Sequence, residues 1–246
     1  MSLSSSRFSP FDRLPVLLPE GRKTIFFQTA NQREDMTMPM DKESYMEFRD
    51  LCKLLRLILV SEPNEELLAR LMAIEALEPE DDIDRGLGMI CKEVRKNRDR
   101  LPMYQEERAI EFAGLFLGPQ HPAAVPFASF YLSETKQLMS EITIQVRKYY
   151  LDAGMAAKEL HRVPDDHIAL ELEFMAWLTD EAAINLEKGD DLMAAKAETR
   201  LEIFQREHLT KWVPLFVDSL SAGAESDFYR GAALALKGVV AMCGTV

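Results

Sequence analysis

From Asp41 onward, apolar residues recur at alternating steps of three and four, the spacing that gathers them on one face of an α-helix. Tyr45, Phe48, Cys52, Leu55 and Leu59 predict a first long helix, which Ser61-Glu62-Pro63-Asn64 ends. Leu67, Leu71 and Ile74 predict a short second helix, stopped around Pro79. Ile83, Leu87, Ile90 and Val94 predict a third, although Gly86 and Gly88 weaken its first turn. A fourth runs beyond Pro102 through Ala109, Ala113 and Leu117. It stops at Gly118-Pro119, because proline lacks an N–H and its ring clashes with the preceding turn.

A segment carrying Pro119, Pro122 and Pro126 follows, and helical patterning restarts near Ser129. Leu138, Ile142, Val146 and Tyr149 predict the next long helix. Pro164 is expected to open another, with Asp165 or Asp166 near its N-terminus, running to about Leu186 and closed by Lys188-Gly189-Asp190. Met193, Ala197, Leu201 and Phe204 form one more, Trp212–Leu220 a shorter one with Pro214 in its first turn, and Phe228, Ala232, Ala235 and Val239 the last. No stretch alternates long enough for a strand, and no fixed-period repeat points to a solenoid. The pattern predicts an all-α bundle of roughly nine to ten helices in two halves joined by a Pro-rich hinge. The expected divisions are an irregular extension over 1–40, a helical half over 41–118, the hinge over 119–132 and a second helical half over 133–246.

The chain of 246 residues is long enough for an ample core, and 47% hydrophobic with 28% charged residues is ordinary for a globular protein. A formal charge of −12 argues against phosphate-backbone binding and suits a basic partner. Cys52, Cys91 and Cys243 are odd in number and lack Cys-x-x-Cys spacing, so reduced thiols in the cytoplasm are the simplest reading. No apolar run has the length of a membrane span, and the first residues lack a secretory pattern. Residues 1–40 scatter Ser, Pro and Gly without a sustained period. An upstream start ahead of Met36, Met38 or Met40 accounts for them; alternatively Leu14–Leu18 or Ile25–Phe27 lies on the domain's apolar surface.

The most suggestive polar set is Asp166, His167 and Glu171. On a helix His167, Glu171, Phe174 and Leu178 share one stripe, so Glu171 can hold a ring N–H of His167. One reading is structural: a half-buried His167, satisfied by Glu171 and Asp166, clamps the hinge to the second half. The other is recognition of a ligand in a groove at the hinge. Acidic residues crowd 164–191, namely Asp165, Asp166, Glu171, Glu173, Asp180, Glu181, Glu187, Asp190 and Asp191, against Lys188 alone. This run is a candidate for facing the ligand, whereas Glu78, Glu80, Asp81, Asp82 and Asp84 read as a solvated face. His121, His161 and His208 have no partnering carboxylate at recurrent spacing, Glu-x-x-His pairs on two helices are absent, and no cofactor or metal is expected. Nucleotide loops and a nucleophile elbow are likewise missing, which disfavours an enzyme.

Three motifs in order, Phe112-x-x-Leu115-Phe116-x-Gly118-Pro119, Pro126-Phe127-x-Ser129-x-Tyr131-Leu132 and Pro164-x-Asp166-His167-x-x-x-Glu171-Leu172, resemble the TorD/DmsD/NarJ family of cytoplasmic chaperones for molybdenum-containing redox enzymes. The likeness extends from about Met40 to the C-terminus; Val125 and Ala128 depart from the usual pattern. The resemblance implies a non-enzymatic partner of the twin-arginine signal peptide and apoprotein of a molybdoenzyme, holding it until cofactor insertion and export. It implies that Asp166 and His167 take part in recognising the signal peptide. Leu115, Phe116, Gly118, Pro119, Pro126 and Tyr131 are then expected to shape the groove, and Asp166, His167 and Glu171 to orient its polar end. Either a monomer or a domain-swapped dimer is compatible with a Pro-bearing hinge. The competing readings are a helical adaptor for a folded redox-enzyme subunit and a metal-dependent helical hydrolase.

Overall fold

The computed structural model describes residues 41–75, 79–118, 122–155 and 163–243, and it is all-α. In chain order the helices are α1 (Lys42–Val60), α2 (Glu65–Ala73), α3 (Asp82–Lys96), α4 (Leu101–Phe112), α5 (Ala128–Leu132), α6 (Glu141–Ala153), α7 (Ile168–Glu187), α8 (Asp191–Phe204), α9 (Thr210–Gly223) and α10 (Asp227–Cys243). Short polar side chains start many of them. Asp41, Asn64, Asp81, Ser140 and Asp190 each accept a backbone N–H of the first turn that the helix itself leaves unpaired. The predicted faces of α1, α3 and α10 are buried residue for residue.

Helices from the two stretches 41–118 and 133–246 pair with each other. α1 lies along α7, α3 against α10, and one core runs from Phe48 to Val239. The register of α1 on α7 is antiparallel and marked by ion pairs: Lys42 with Glu187 at 2.9 Å, Arg49 and Lys53 with Asp180 at 3.0 Å, and Arg56 with Glu173 at 3.0 Å. The crossing of α3 and α10 is a backbone contact. A Cβ on Gly86 would stand 2.4 Å from the Gly231 carbonyl oxygen, and one on Gly231 would stand 2.5 Å from that of Gly86. Gly86 weakens the helix pattern in the sequence because its role is close approach of two helices, which no single-helix pattern records.

Three expectations are corrected. The fourth helix does not bury Ala109, Ala113 and Leu117. After Phe112 a π-turn over Ala113–Leu117 rotates the chain, so that Phe112, Leu115 and Phe116 face inward and Leu117 is exposed. The helix expected from Pro164 begins at Ile168, and His167 rather than an aspartate is its N-cap. Lastly, the segments around Phe204 and Trp212 are not separate. A second π-turn, Gln205–Leu209, joins α8 to α9, with Pro214 inside α9.

The glycine contacts give opposite expectations at neighbouring positions. Gly231→Ala or Gly86→Ala should lower the unfolding free energy by about 1–3 kcal/mol through overpacking. Gly88→Ala, where an added Cβ meets nothing within 4 Å, should raise it by roughly 0.5–1 kcal/mol. Urea unfolding midpoints with unchanged slope would check both.

Candidate functional site

The π-turn that ends α4 leaves carbonyls without helical donors, and the following extended segment supplies them. Ala123 N–H donates to Gly114 O at 3.3 Å and Ala124 N–H to Leu115 O at 2.8 Å. Gly118 makes the exit from the helix with φ 26°, in the region that favours glycine. Pro119 and His121 lie outside the described residues. Ala123 then presses on α9, where a Cβ added to Gly223 would come within 2.7 Å of the Ala123 Cβ.

Next, this segment meets the residues before α7. Ala128 N–H donates to Asp166 O and Ile168 N–H to Pro126 O, both at 3.0 Å, which makes Phe127 and His167 an isolated antiparallel pair. Their rings meet edge to face with centroids 4.9 Å apart. Asp166 is fully buried and both of its carboxylate oxygens are occupied. Oδ2 accepts Ser129 N–H at the start of α5, and Oδ1 accepts the Thr143 hydroxyl of α6, each at 2.8 Å. Its neighbour Asp165 takes Arg147 Nε at 2.6 Å and, through its carbonyl, the Tyr150 hydroxyl at 2.8 Å. The aspartates thus gather three elements, α5, α6 and the start of α7, rather than charging one helix end.

His167 accepts Ala169 N–H on Nδ1 at 3.0 Å, so the neutral ring carries its proton on Nε2. Burial, with the nearby Arg56 cation adding to it, pulls its pKa down to about 4 against the opposing pull of Asp166. Glu171 does not partner His167, as the structural reading of the sequence expected. It is fully buried one turn into α7 and accepts His208 Nε2 at 2.7 Å and the Trp212 indole N–H at 3.0 Å. Burial pushes the Glu171 pKa up, while contact with His208 and Trp212 pulls it back. Sequence reasoning misses His208 because its carboxylate lies on another helix. The available signal is its four-residue spacing from Trp212, which puts two N–H-bearing rings on one face.

An aromatic floor lies beside this polar set. Phe116 is 4.9 Å from Phe112, 5.8 Å from Tyr229 and 6.3 Å from Phe216, measured between ring centroids. Tyr131 stacks on Trp212 at 5.8 Å and meets Phe216 at 6.3 Å. Leu115, Phe116 and Pro126 are buried, while Gly118, Tyr131 and His167 are half-buried. The structure therefore brings Leu115, Phe116, Pro126, Tyr131, Asp166, His167 and Glu171 to one joint, filled by its own side chains.

The acidic run is largely engaged inside the protein. Glu173, Asp180 and Glu187 pair with the cations of α1, Asp165 with Arg147, and Asp190 caps α8. In the other run Asp84 is buried and Asp81 caps α3, whereas Asp82 meets Arg85 and Lys237; Glu78 lies outside the described residues. Among the described residues no group of three or more His, Cys, Asp or Glu side chains is placed to hold a metal ion, and no helix is long and apolar enough to cross a membrane.

The depressed His167 pKa has a definite sign. The unfolded chain takes up this proton near the ordinary value of 6.5 and the folded chain only near 4, so stability is lost as pH falls through that window. His167→Asn keeps a side-chain cap and removes the titration, so its urea midpoint should fall less steeply between these pH values than that of the natural protein.

The family model described as "nitrate reductase delta subunit" matches residues 80–218, more than half of the chain. Among similar proteins, "Chaperone protein TorD" of Photobacterium profundum is 34% identical over 127 residues, 51% of this chain and 56% of that protein. TorD of Vibrio cholerae serotype O1 (strain M66-2) is 26% identical over 65% of this chain and 70% of its own length, and TorD of Aliivibrio fischeri is 31% identical over 46% and 51%. The match thus spans about half the length of two of these three relatives. The family is one of chaperones and is non-catalytic. Apart from Tyr229, the aromatic floor, the buried aspartate and the Glu171 cluster draw on Phe112 through Phe216, inside the matched stretch, and the chain belongs to the TorD/NarJ family.

Proposed function

We propose that this protein is a maturation chaperone for a redox enzyme, and that it binds the N-terminal leader and apoprotein of a molybdenum-containing oxidoreductase. On this reading the leader carries two adjacent arginines followed by an apolar segment, and the complex is held in the cytoplasm until the molybdopterin cofactor is inserted and export can begin. The supporting observation is the convergence of Phe116, Tyr131, Trp212 and Phe216 beside two carboxylates, Asp166 and Glu171. These groups are packed inside the joint beneath Tyr131; once uncovered, they would suit a ligand that is oily along its length and cationic at one end. Family membership and the TorD relatives point the same way.

Hydrophobic contact would set the affinity. Each Leu- or Phe-sized anchor contributes roughly 1.5–3 kcal/mol, whereas a partly exposed Arg–carboxylate pair contributes about 0.2–1 kcal/mol. Ordering a disordered leader costs about 2–5 kcal/mol. Only with three full-sized anchors and two such ion pairs does the remainder reach about 8–9 kcal/mol, which is micromolar rather than nanomolar binding. The net negative charge of the chain would speed encounter with a cationic leader more than it strengthens the complex.

Calorimetric titration with a synthetic twin-arginine leader should give a Kd on the order of micromolar. Cutting the apolar segment should abolish the signal, and replacing both arginines with glutamine should weaken it by roughly two- to thirtyfold. No heat and no shift in unfolding midpoint with the intact leader would refute the reading. Native co-purification with mass spectrometry distinguishes a leader-bearing client from a mature, folded subunit.

A further inference from the structure

We propose that residues 122–132 are a closed strap over the aromatic floor, latched by Asp166, and that the leader gains the floor when this latch releases. The inference rests on the chaperone reading above and concerns how its site opens. In the closed arrangement Leu115, Phe116 and Pro126 are buried and Tyr131 covers Trp212 and Phe216, so an apolar anchor of the ligand has no place until the strap moves.

The strap is held by few polar attachments. Ala123 and Ala124 donate to the end of α4; Ala128 N–H and Pro126 O form the short bridge; Ser129 N–H reaches the Asp166 carboxylate. That carboxylate is in turn oriented by the Thr143 hydroxyl at 2.8 Å, which makes Thr143 a positioning residue. One feature lowers the cost of opening: the Ser129 hydroxyl is buried without a hydrogen-bond partner, which opening would relieve. Releasing the strap exposes phenylalanine and tryptophan faces next to Asp166 and Glu171, the chemistry a cationic, apolar peptide requires.

The Phe127–His167 pair supplies a lock. Its bridging hydrogen bonds flank the pair rather than join it, the register in which opposed side chains stand closest, within reach of a disulfide. A variant carrying Phe127→Cys and His167→Cys, with helicity confirmed by circular dichroism, is titrated with the twin-arginine leader before and after reduction. The oxidised form should bind at least about tenfold more weakly than the reduced form, because its open fraction is removed. Equal affinities overturn the proposal. Thr143→Val leaves both ring positions in place and should tighten apparent binding several-fold by raising the open population; weaker binding overturns the proposal. Hydrogen exchange of the natural protein gives a ligand-free readout. The Ala128 and Ser129 amides should exchange faster than core amides of α3 and α10, and exchange at the global unfolding rate overturns the strap. If no form binds the leader, the chaperone reading falls, and exchange alone decides whether the strap opens.

Discussion

A carboxylate sealed from water must find donors for both oxygens, and Asp166 finds them on two other elements. Ser129 N–H and the Thr143 hydroxyl converge on it, while its own backbone carbonyl takes Ala128 N–H. A buried charge without such partners would neutralise or unfold its surroundings. The position of α5, the packing of α6 and the start of α7 therefore depend on one another. This explains why α7 begins two residues after the aspartate, with His167 left to cap it. Glu171 repeats the arrangement one turn further on, where His208 and Trp212 tie α7 to the α8–α9 run.

What the sequence reveals and what it hides divide along the range of the interactions. Helices α1, α3 and α10 are legible because their buried faces keep the helical period to the last residue, as in Tyr45-Phe48-Cys52-Leu55-Leu59. The inward face of α4 escapes the pattern because a π-turn at Ala113–Leu117 shifts the period within the helix, and the chain carries no local mark of it. The break expected before Trp212 fails for a similar reason: the π-turn Gln205–Leu209 carries the helix through, and Pro214 is accommodated inside it. At the site, the residues Phe116, Tyr131, Asp166 and Glu171 stand out in the sequence, but their partners do not. Asp166–Thr143 and Glu171–His208 join elements far apart in the chain, so nothing in the order of residues announces them.

Charge behaves the same way. The acids between Pro164 and Asp191 read as a surface waiting for a cation, yet Lys42, Arg49, Lys53 and Arg56 of α1 already meet Glu173, Asp180 and Glu187. These pairs are largely solvent-accessible or half-buried, and each contributes modestly to stability. Their larger effect is on register, since they align α1 and α7 in opposite directions along much of their length. Any attraction of the proposed leader thus comes from the overall field of an acidic chain and from the carboxylates at the joint.

The glycine crossing of α3 and α10 has a consequence for the protein's own biosynthesis. α3 precedes its mate by well over a hundred residues, so it must leave the ribosome with its apolar side uncovered. At about 5–20 residues per second that interval lasts on the order of ten seconds. A chain interpreted as a guardian of unfinished enzymes is, during its own translation, an unfinished polypeptide with a face for others to guard.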